Sequence, residues 1–228
     1  MNEQIYPIHK TMDELMKELV NENWIQSKKL FNVMRLIDRA DFSPIRPYQN
    51  RAQQIGCNVV ISAPLLHAYC LQALEGFLTE GSTVLDIGFG SGYMTVAMSK
   101  MMNDKGTVVG IEHIKDLYDF GLNNINKHYK DLIENKKIEL VLGDGRLGYK
   151  QKAPYKCIHV GAFSDQVPKD ILEQLDFGGR LVMPLGRPND QYIYCIDKDL
   201  NGNIRYTKGL SVCYVQLTSA KNQLNNIE

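Results

Sequence analysis

The chain has 228 residues, 44% hydrophobic and 23% charged, which suits one large domain with an ordinary buried core. Its 26 basic and 26 acidic side chains cancel, so the general positive field of a nucleic-acid binder is missing and no nucleic-acid partner is expected. Five cysteines, at 57, 70, 157, 195 and 213, form no C-x-x-C pair, which argues against a disulfide framework or zinc knuckle and for a reducing, cytoplasmic setting.

The first thirty residues carry charges throughout, so neither a signal peptide nor a membrane span is expected. Residues 11–21 place Met12, Leu15, Met16, Leu19 and Val20 at helical spacing. Residues 28–39 repeat the pattern with Leu30, Val33, Met34 and Ile37 behind a capping Ser27. "SPIRPYQN" (43–50) breaks the pattern with two prolines and reads as an extended loop, placed between helices where Arg46 and Arg51 can fold over a substrate. Pro64 opens a third helix, with Leu65, Tyr69, Leu71, Leu74 and Leu78 as its buried side.

From residue 83 short β-branched runs alternate with helices. Strands are predicted at 83–87, 107–111, 137–142, 157–160 and 180–185, with helices near 92–102, 114–129 and 168–175. That alternation predicts an α/β fold with a parallel sheet covered on both faces. The stretches 191–197 and 204–217, separated by Asn201 and Gly202, read as an antiparallel hairpin that makes the sheet mixed. The expected organisation is one domain over 1–228: a helical extension (1–55), a core (56–217) and a polar tail (218–228) of doubtful order. Met94, Met98, Met101 and Met102 read as core packing.

"VLDIGFGSGY" (84–93) ends an apolar strand in Asp86 and then sets Gly88, Gly90 and Gly92 at alternate positions. Glycines there let a ligand lie on bare backbone past the strand tip. Tyr93 stands where a dinucleotide fingerprint needs its third glycine, and no Gly-Lys-Ser/Thr follows for a phosphate. Glu112 ends the second strand about 20 residues beyond Gly92, where a carboxylate can accept ribose hydroxyls. Asp144, in "GDG" (143–145), ends the third and can accept from an adenine amino group. A lone glycine loop is often just a tight turn, and a lone acid a solvated carboxylate. Together they indicate S-adenosylmethionine, its carboxylate at the helix N-terminus beyond Gly92 and its sulfonium near Asp86.

Three stretches, "VISAPLLHAYCLQAL" (60–74), "LDIGFGSGYMT" (85–95) and "GDGRLGY…APYKCIHVGA…VP…QL…GGRLVMPLG" (143–186), resemble the protein-L-isoaspartate (D-aspartate) O-methyltransferase family. The resemblance runs from about residue 11 to 223. It implies a Rossmann-like methyltransferase sheet of seven strands. It also implies methyl transfer from S-adenosylmethionine, leaving S-adenosylhomocysteine, to the free carboxylate of L-isoaspartyl or D-aspartyl residues in damaged proteins. Carried over by position, Ser62 is the active-site serine. Val59, Val60, Ile61, His67, Ser91, Glu112, Asp144, Gly145, Thr218 and Gln223 match cofactor-contact positions. Phe89 stands where a small residue is usual, which tightens the site; Glu112 replaces a frequent aspartate; "AFSDQVP" (162–168) departs from an alanine-rich version near the substrate side.

An α-carboxylate has a pKa of about 3.3–3.7 and needs no general base at neutral pH, unlike a phenol at about 10. No metal is called for. Ser62 reads as the donor that orients the carboxylate, or else as a cap for the helix at Pro64. His67 alone would be an ordinary packed helix residue, and His159 a hydrogen-bonded core histidine. A methyltransferase for a small molecule and a non-catalytic nucleoside-binding scaffold are the alternatives; the loop spacing disfavours a nicotinamide oxidoreductase. A neutral surface with no evident apolar patch makes a monomer the expected state.

Overall fold

A computed structural model describes residues 7–225. Thr11 caps α1 (Met12–Asn21) by accepting from the Glu14 N–H, and the helix buries Leu15, Met16 and Leu19 but leaves Val20 exposed. Ser27 caps α2 (Lys28–Leu36) in the same way, accepting from the Leu30 N–H. One 3-10 turn, Arg39–Asp41, leads into the 43–50 loop.

Next comes an element that the sequence patterns do not announce. β1 (Gln53–Gly56) and β2 (Val59–Ile61) form an antiparallel hairpin. Its two loop residues, Cys57 and Asn58, have φ of 51° and 55°. Two successive left-handed residues are what a tight hairpin turn requires, and Cys is an unusual choice for one of them. α3 (Pro64–Leu74) follows with proline in its first turn.

The remaining elements are β3 (Thr83–Ile87), α4 (Tyr93–Met101), β4 (Thr107–Glu112), α5 (Lys115–His128), α6 (Lys130–Glu134), β5 (Ile138–Leu142) and β6 (Tyr155–Val160). After them come α7 (Lys169–Glu173), β7 (Leu175–Arg187), β8 (Asp190–Lys198), β9 (Ile204–Val212) and α8 (Ala220–Asn225). The strands make one seven-stranded sheet in the order β5-β4-β3-β6-β7-β8-β9. It is parallel from β5 to β7 and antiparallel at β8 and β9, the mixed sheet expected from the alternation. Strand order reverses between β3 and β6, and the crevice beyond their carboxyl ends is where such sheets take ligands.

Other boundaries differ from expectation. A break at Tyr129, φ −132°, separates α6 from α5. β9 stops at Val212, and residues 213–217 leave the ladder, keeping an isolated bridge between Gln216 and Phe163. Residues 220–225 form α8; 226–228 lie outside the described residues.

Alternation along β3 sends Val84 to one face and Leu85 to the other. On the first face Leu15, Leu30 and Leu71 pack with Val84, Met98 and Met101, so the N-terminal helices share one core with the sheet. Met94, Met98, Met101 and Met102 are all buried there. β1 also crosses residue 55, so the hairpin straddles the 55/56 line drawn from the sequence. Among the described residues no helix is long and apolar enough to cross a membrane.

Candidate active site

The loop after β3 is built for close approach. Gly88 and Phe89 both donate their N–H to the Ile111 carbonyl, at 2.8 and 3.2 Å, folding the loop over the tip of β4. Gly92, φ 87°, ends the loop as the left-handed cap of α4; a Cβ there would meet the Ile125 side chain at 2.9 Å. Gly88 has φ 76°, yet a Cβ on it would meet nothing within 4 Å. It faces open space, which is the bare backbone anticipated for a ligand. Phe89 lines one of the two cavities at this loop, and its ring is turned toward α5. Its ring packs where Gly121 and Gly110 leave room, so that a Cβ on Gly121 would come within 2.6 Å of it, and it meets Tyr118 edge-on at 5.7 Å.

Two cavities meet at this loop and share Gly88, Gly161, Val59 and Val215. The first holds Glu112, Gly145, Thr218 and Gln223 in its walls. Glu112 is 5% exposed. Its Oε1 accepts from the His113 and Ile114 N–H groups at 2.8 and 3.1 Å, and its Oε2 from Gly90 at 3.2 Å. Burial raises its pKa above the ordinary carboxylate value, and the backbone donors only partly oppose this. One long bond at Oε2 leaves acceptor capacity facing the cavity. The His113 Nε2 pairs with Gln223 Oε1 at 2.7 Å and pins α8 against the tip of β4.

Asp144 is not brought into this cavity. Its carboxylate accepts from the Arg146 backbone N–H at 3.1 Å and Nε at 3.0 Å, and that pairing holds its pKa below the usual range. It lines a neighbouring groove that shares Ile111 with the first cavity, while Gly145 takes the wall position. Asp144 thus borders the first cavity, and its tie to Arg146 joins two partly exposed side chains that a ligand can part.

The second cavity collects Val60, Ile61, Ser62, His67, Asp86, Gly90, Ser91 and His159. Asp86 is fully buried and committed, accepting from Thr95 Oγ1 at 2.6 Å and pairing with His159 Nδ1 at 2.8 Å. Burial disfavours the His159 cation, but the hydrogen bond and charge of Asp86, with a smaller contribution from Cys70, outweigh it and lift the imidazole to about 10. His159 is thus the hydrogen-bonded core histidine expected, and it reaches the cavity wall.

His67 is buried and stacks on Tyr93, centroids 4.7 Å apart. Burial first, and the nearby Arg39 charge second, hold its pKa well below the ordinary value. Arg39 Nη1 lies 3.1 Å from His67 Nδ1. A guanidinium only donates, so Nδ1 accepts and the ring proton sits on Nε2. Arg39 Nη2 also donates to the Ser62 carbonyl at 2.6 Å. This arginine is 1% exposed, and nothing in its sequence setting marks it, since an arginine after an amphipathic helix is ordinarily a surface residue. Ser62 does not cap α3: the N-cap is Ala63, and no side-chain cap bond is made. Its Oγ instead faces Tyr214 Oη across 3.4 Å. Of the 43–52 loop only Ala52 reaches a cavity wall; Arg46 and Arg51 line neither cavity.

The family model for protein-L-isoaspartate(D-aspartate) O-methyltransferase (PCMT) matches residues 10–222. The chain belongs to this family. A Caenorhabditis elegans protein-L-isoaspartate O-methyltransferase is 40% identical over 94% of this chain and 96% of its own length. Protein-L-isoaspartate O-methyltransferase 2 of Arabidopsis thaliana is 40% identical over 92% of this chain and 69% of its own. A Plasmodium falciparum protein described as a member of the same family, solved in complex with S-adenosyl-L-homocysteine, superposes with a TM-score of 0.87. It is 30% identical and covers 92% of this chain and 99% of its own. The seven-stranded sheet with its antiparallel edge is therefore the Rossmann-like methyltransferase fold that the resemblance implied.

Proposed function

We propose that this chain moves a methyl group from S-adenosylmethionine to the free α-carboxylate of L-isoaspartyl residues in damaged proteins, starting their repair through a succinimide. D-Aspartyl side chains are the second acceptor. One observation carries the reading: two cavities joined at Gly88 and Gly161 set a buried carboxylate, Glu112, on one side and the Ser62 hydroxyl on the other.

The residues fit an adenosyl group. Gly88 presents bare backbone, Glu112 keeps acceptor capacity for ribose hydroxyls, and Gly145, Thr218 and Gln223 close the same cavity. Val59 continues from that cavity into the second, whose lining residues Val60, Ile61, Ser91 and His67 would hold the amino-acid end. Asp86 supports the loop through Thr95 and His159, rather than offering a free carboxylate. When bound, S-adenosylmethionine supplies a methyl already activated by a sulfonium.

The chain then has to align and desolvate. The acceptor carboxylate is ionised at neutral pH, so a neutral hydroxyl suffices to orient it, and Ser62 is that donor. Enforced near-attack geometry can contribute as much as ~7–11 kcal/mol. The balanced charge supports action on peptides and proteins rather than nucleic acid, and the unpaired cysteines support a reducing, cytoplasmic setting.

The test is a pair of peptides that differ only in an aspartyl or isoaspartyl linkage, incubated with methyl-labelled S-adenosylmethionine. Alkali-labile methanol from the isoaspartyl peptide alone is expected. Equal label on both, or on neither, removes the reading.

A further inference from the structure

β9 stays paired with β8 as far as Val212, which lies opposite Gln191. Beyond that point Gln191, 2% exposed, continues the pairing with its side chain. Its Oε1 accepts from the Tyr214 N–H at 2.7 Å, and its Nε2 donates to the Tyr214 carbonyl at 3.3 Å. A side-chain amide carries N–H donors beside a carbonyl acceptor, so it makes the same pair of bonds as a peptide group and the two act as an extra rung. That rung sets Tyr214 on the wall of the second cavity, with its hydroxyl facing Ser62.

The 3.4 Å between the two hydroxyl oxygens is longer than an ordinary O–H···O bond, about 2.5–3.0 Å. Two donors that far apart flank a position at normal hydrogen-bond distance from both. A carboxylate oxygen accepts two such bonds. Burial raises the Tyr214 phenol above its ordinary value, so it stays a neutral donor at neutral pH.

We propose that Tyr214 is a further catalytic residue, its hydroxyl joining that of Ser62 to hold one oxygen of the acceptor carboxylate while the other attacks the methyl. The proposal rests on the methyl-transfer reading above. The free oxygen forms the new O–C bond as the S–C bond breaks and its electron pair returns to sulfur. No proton moves, so two neutral donors are enough.

The experiment is steady-state kinetics of Tyr214→Phe with the isoaspartyl peptide, beside S-adenosylhomocysteine affinity and Tm. The variant keeps the ring and removes one hydrogen bond to a charged group, so kcat/KM for the peptide falls about 10–100-fold. Cofactor affinity and Tm stay at wild-type values. Ser62→Ala with Tyr214→Phe loses less than the product of the single losses, because the two hydroxyls share one acceptor. Unchanged peptide kinetics in Tyr214→Phe overturns the proposal and leaves the methyl-transfer reading intact. A loss of cofactor affinity equal to the loss of turnover places the hydroxyl on the cofactor and also overturns it. Wild-type protein that esterifies no isoaspartyl peptide overturns the functional reading and this proposal together.

Discussion

Ser62 enters its cavity with the backbone already engaged. Arg39 holds its carbonyl, and the hydroxyl is left to point at Tyr214 and the space beside it. Ser62→Ala should therefore cost turnover about 10–100-fold, the value of one hydrogen bond to a charged acceptor. S-Adenosylhomocysteine affinity, read by calorimetry, should not change. The Asp86–His159 pair makes a different kind of test. Its imidazole is lifted from an ordinary 6.5 to about 10 in the fold. A raised folded pKa means stabilisation that is complete below pH 6.5 and lost as the pH rises through about 10. Urea unfolding across that window should show wild-type stability falling with pH by more than His159→Gln does. Parallel curves would show that the pair is not charged. At this scale sequence reasoning singles out Ser62, His67 and Glu112 by motif position, but not Arg39, which bonds the first two. Arg39 comes from a turn far away in the chain, and its burial depends on tertiary packing alone.

Glycines in the loop after β3 divide into two physical kinds, and substitution separates them. Gly92→Ala adds a Cβ 2.9 Å from Ile125 at a φ of 87°, so it should lower stability by about 2 kcal/mol or more through strain and overpacking. Gly88→Ala meets no atom within 4 Å and pays only the left-handed backbone cost, ~1–2 kcal/mol. Its methyl projects into both cavities, so S-adenosylhomocysteine affinity should fall about tenfold or more. Titration calorimetry together with thermal melts distinguishes the two outcomes; undiminished affinity in Gly88→Ala would move the ligand off the loop. The loop was legible because its glycines follow an apolar strand and open a helix. The β1–β2 hairpin that carries Val59 to Ser62 was not. Its strands are three and four residues long, too short for a period, and one of its left-handed positions is a cysteine. Asp144 is readable as a strand-end acid, but its tie to Arg146 is local side-chain geometry that no spacing shows.

Across the whole molecule the alternation of strand and helix foretold the sheet, because each crossover has to return to a parallel neighbour. The N-terminal helices are less of an extension than their composition suggests. Leu15 and Leu30 are fully buried in the same core as Val84 and Val108 of the sheet. Leu30→Ala should then cost about 2–5 kcal/mol of global stability and leave a single cooperative transition by fluorescence and circular dichroism. Two separate transitions would mean that the helices fold apart from the sheet. That shared core also places Arg39 beneath Ser62, and both cavities draw walls from the β1–β2 hairpin and from the segment after β9. The most direct measurement is a crystal structure of this protein with S-adenosylhomocysteine. The expected result is the nucleoside in the Glu112 cavity, with the sulfur at the Gly88–Gly161 junction open toward Ser62. A nucleoside bound elsewhere, or a sulfur walled off from Ser62, would contradict it.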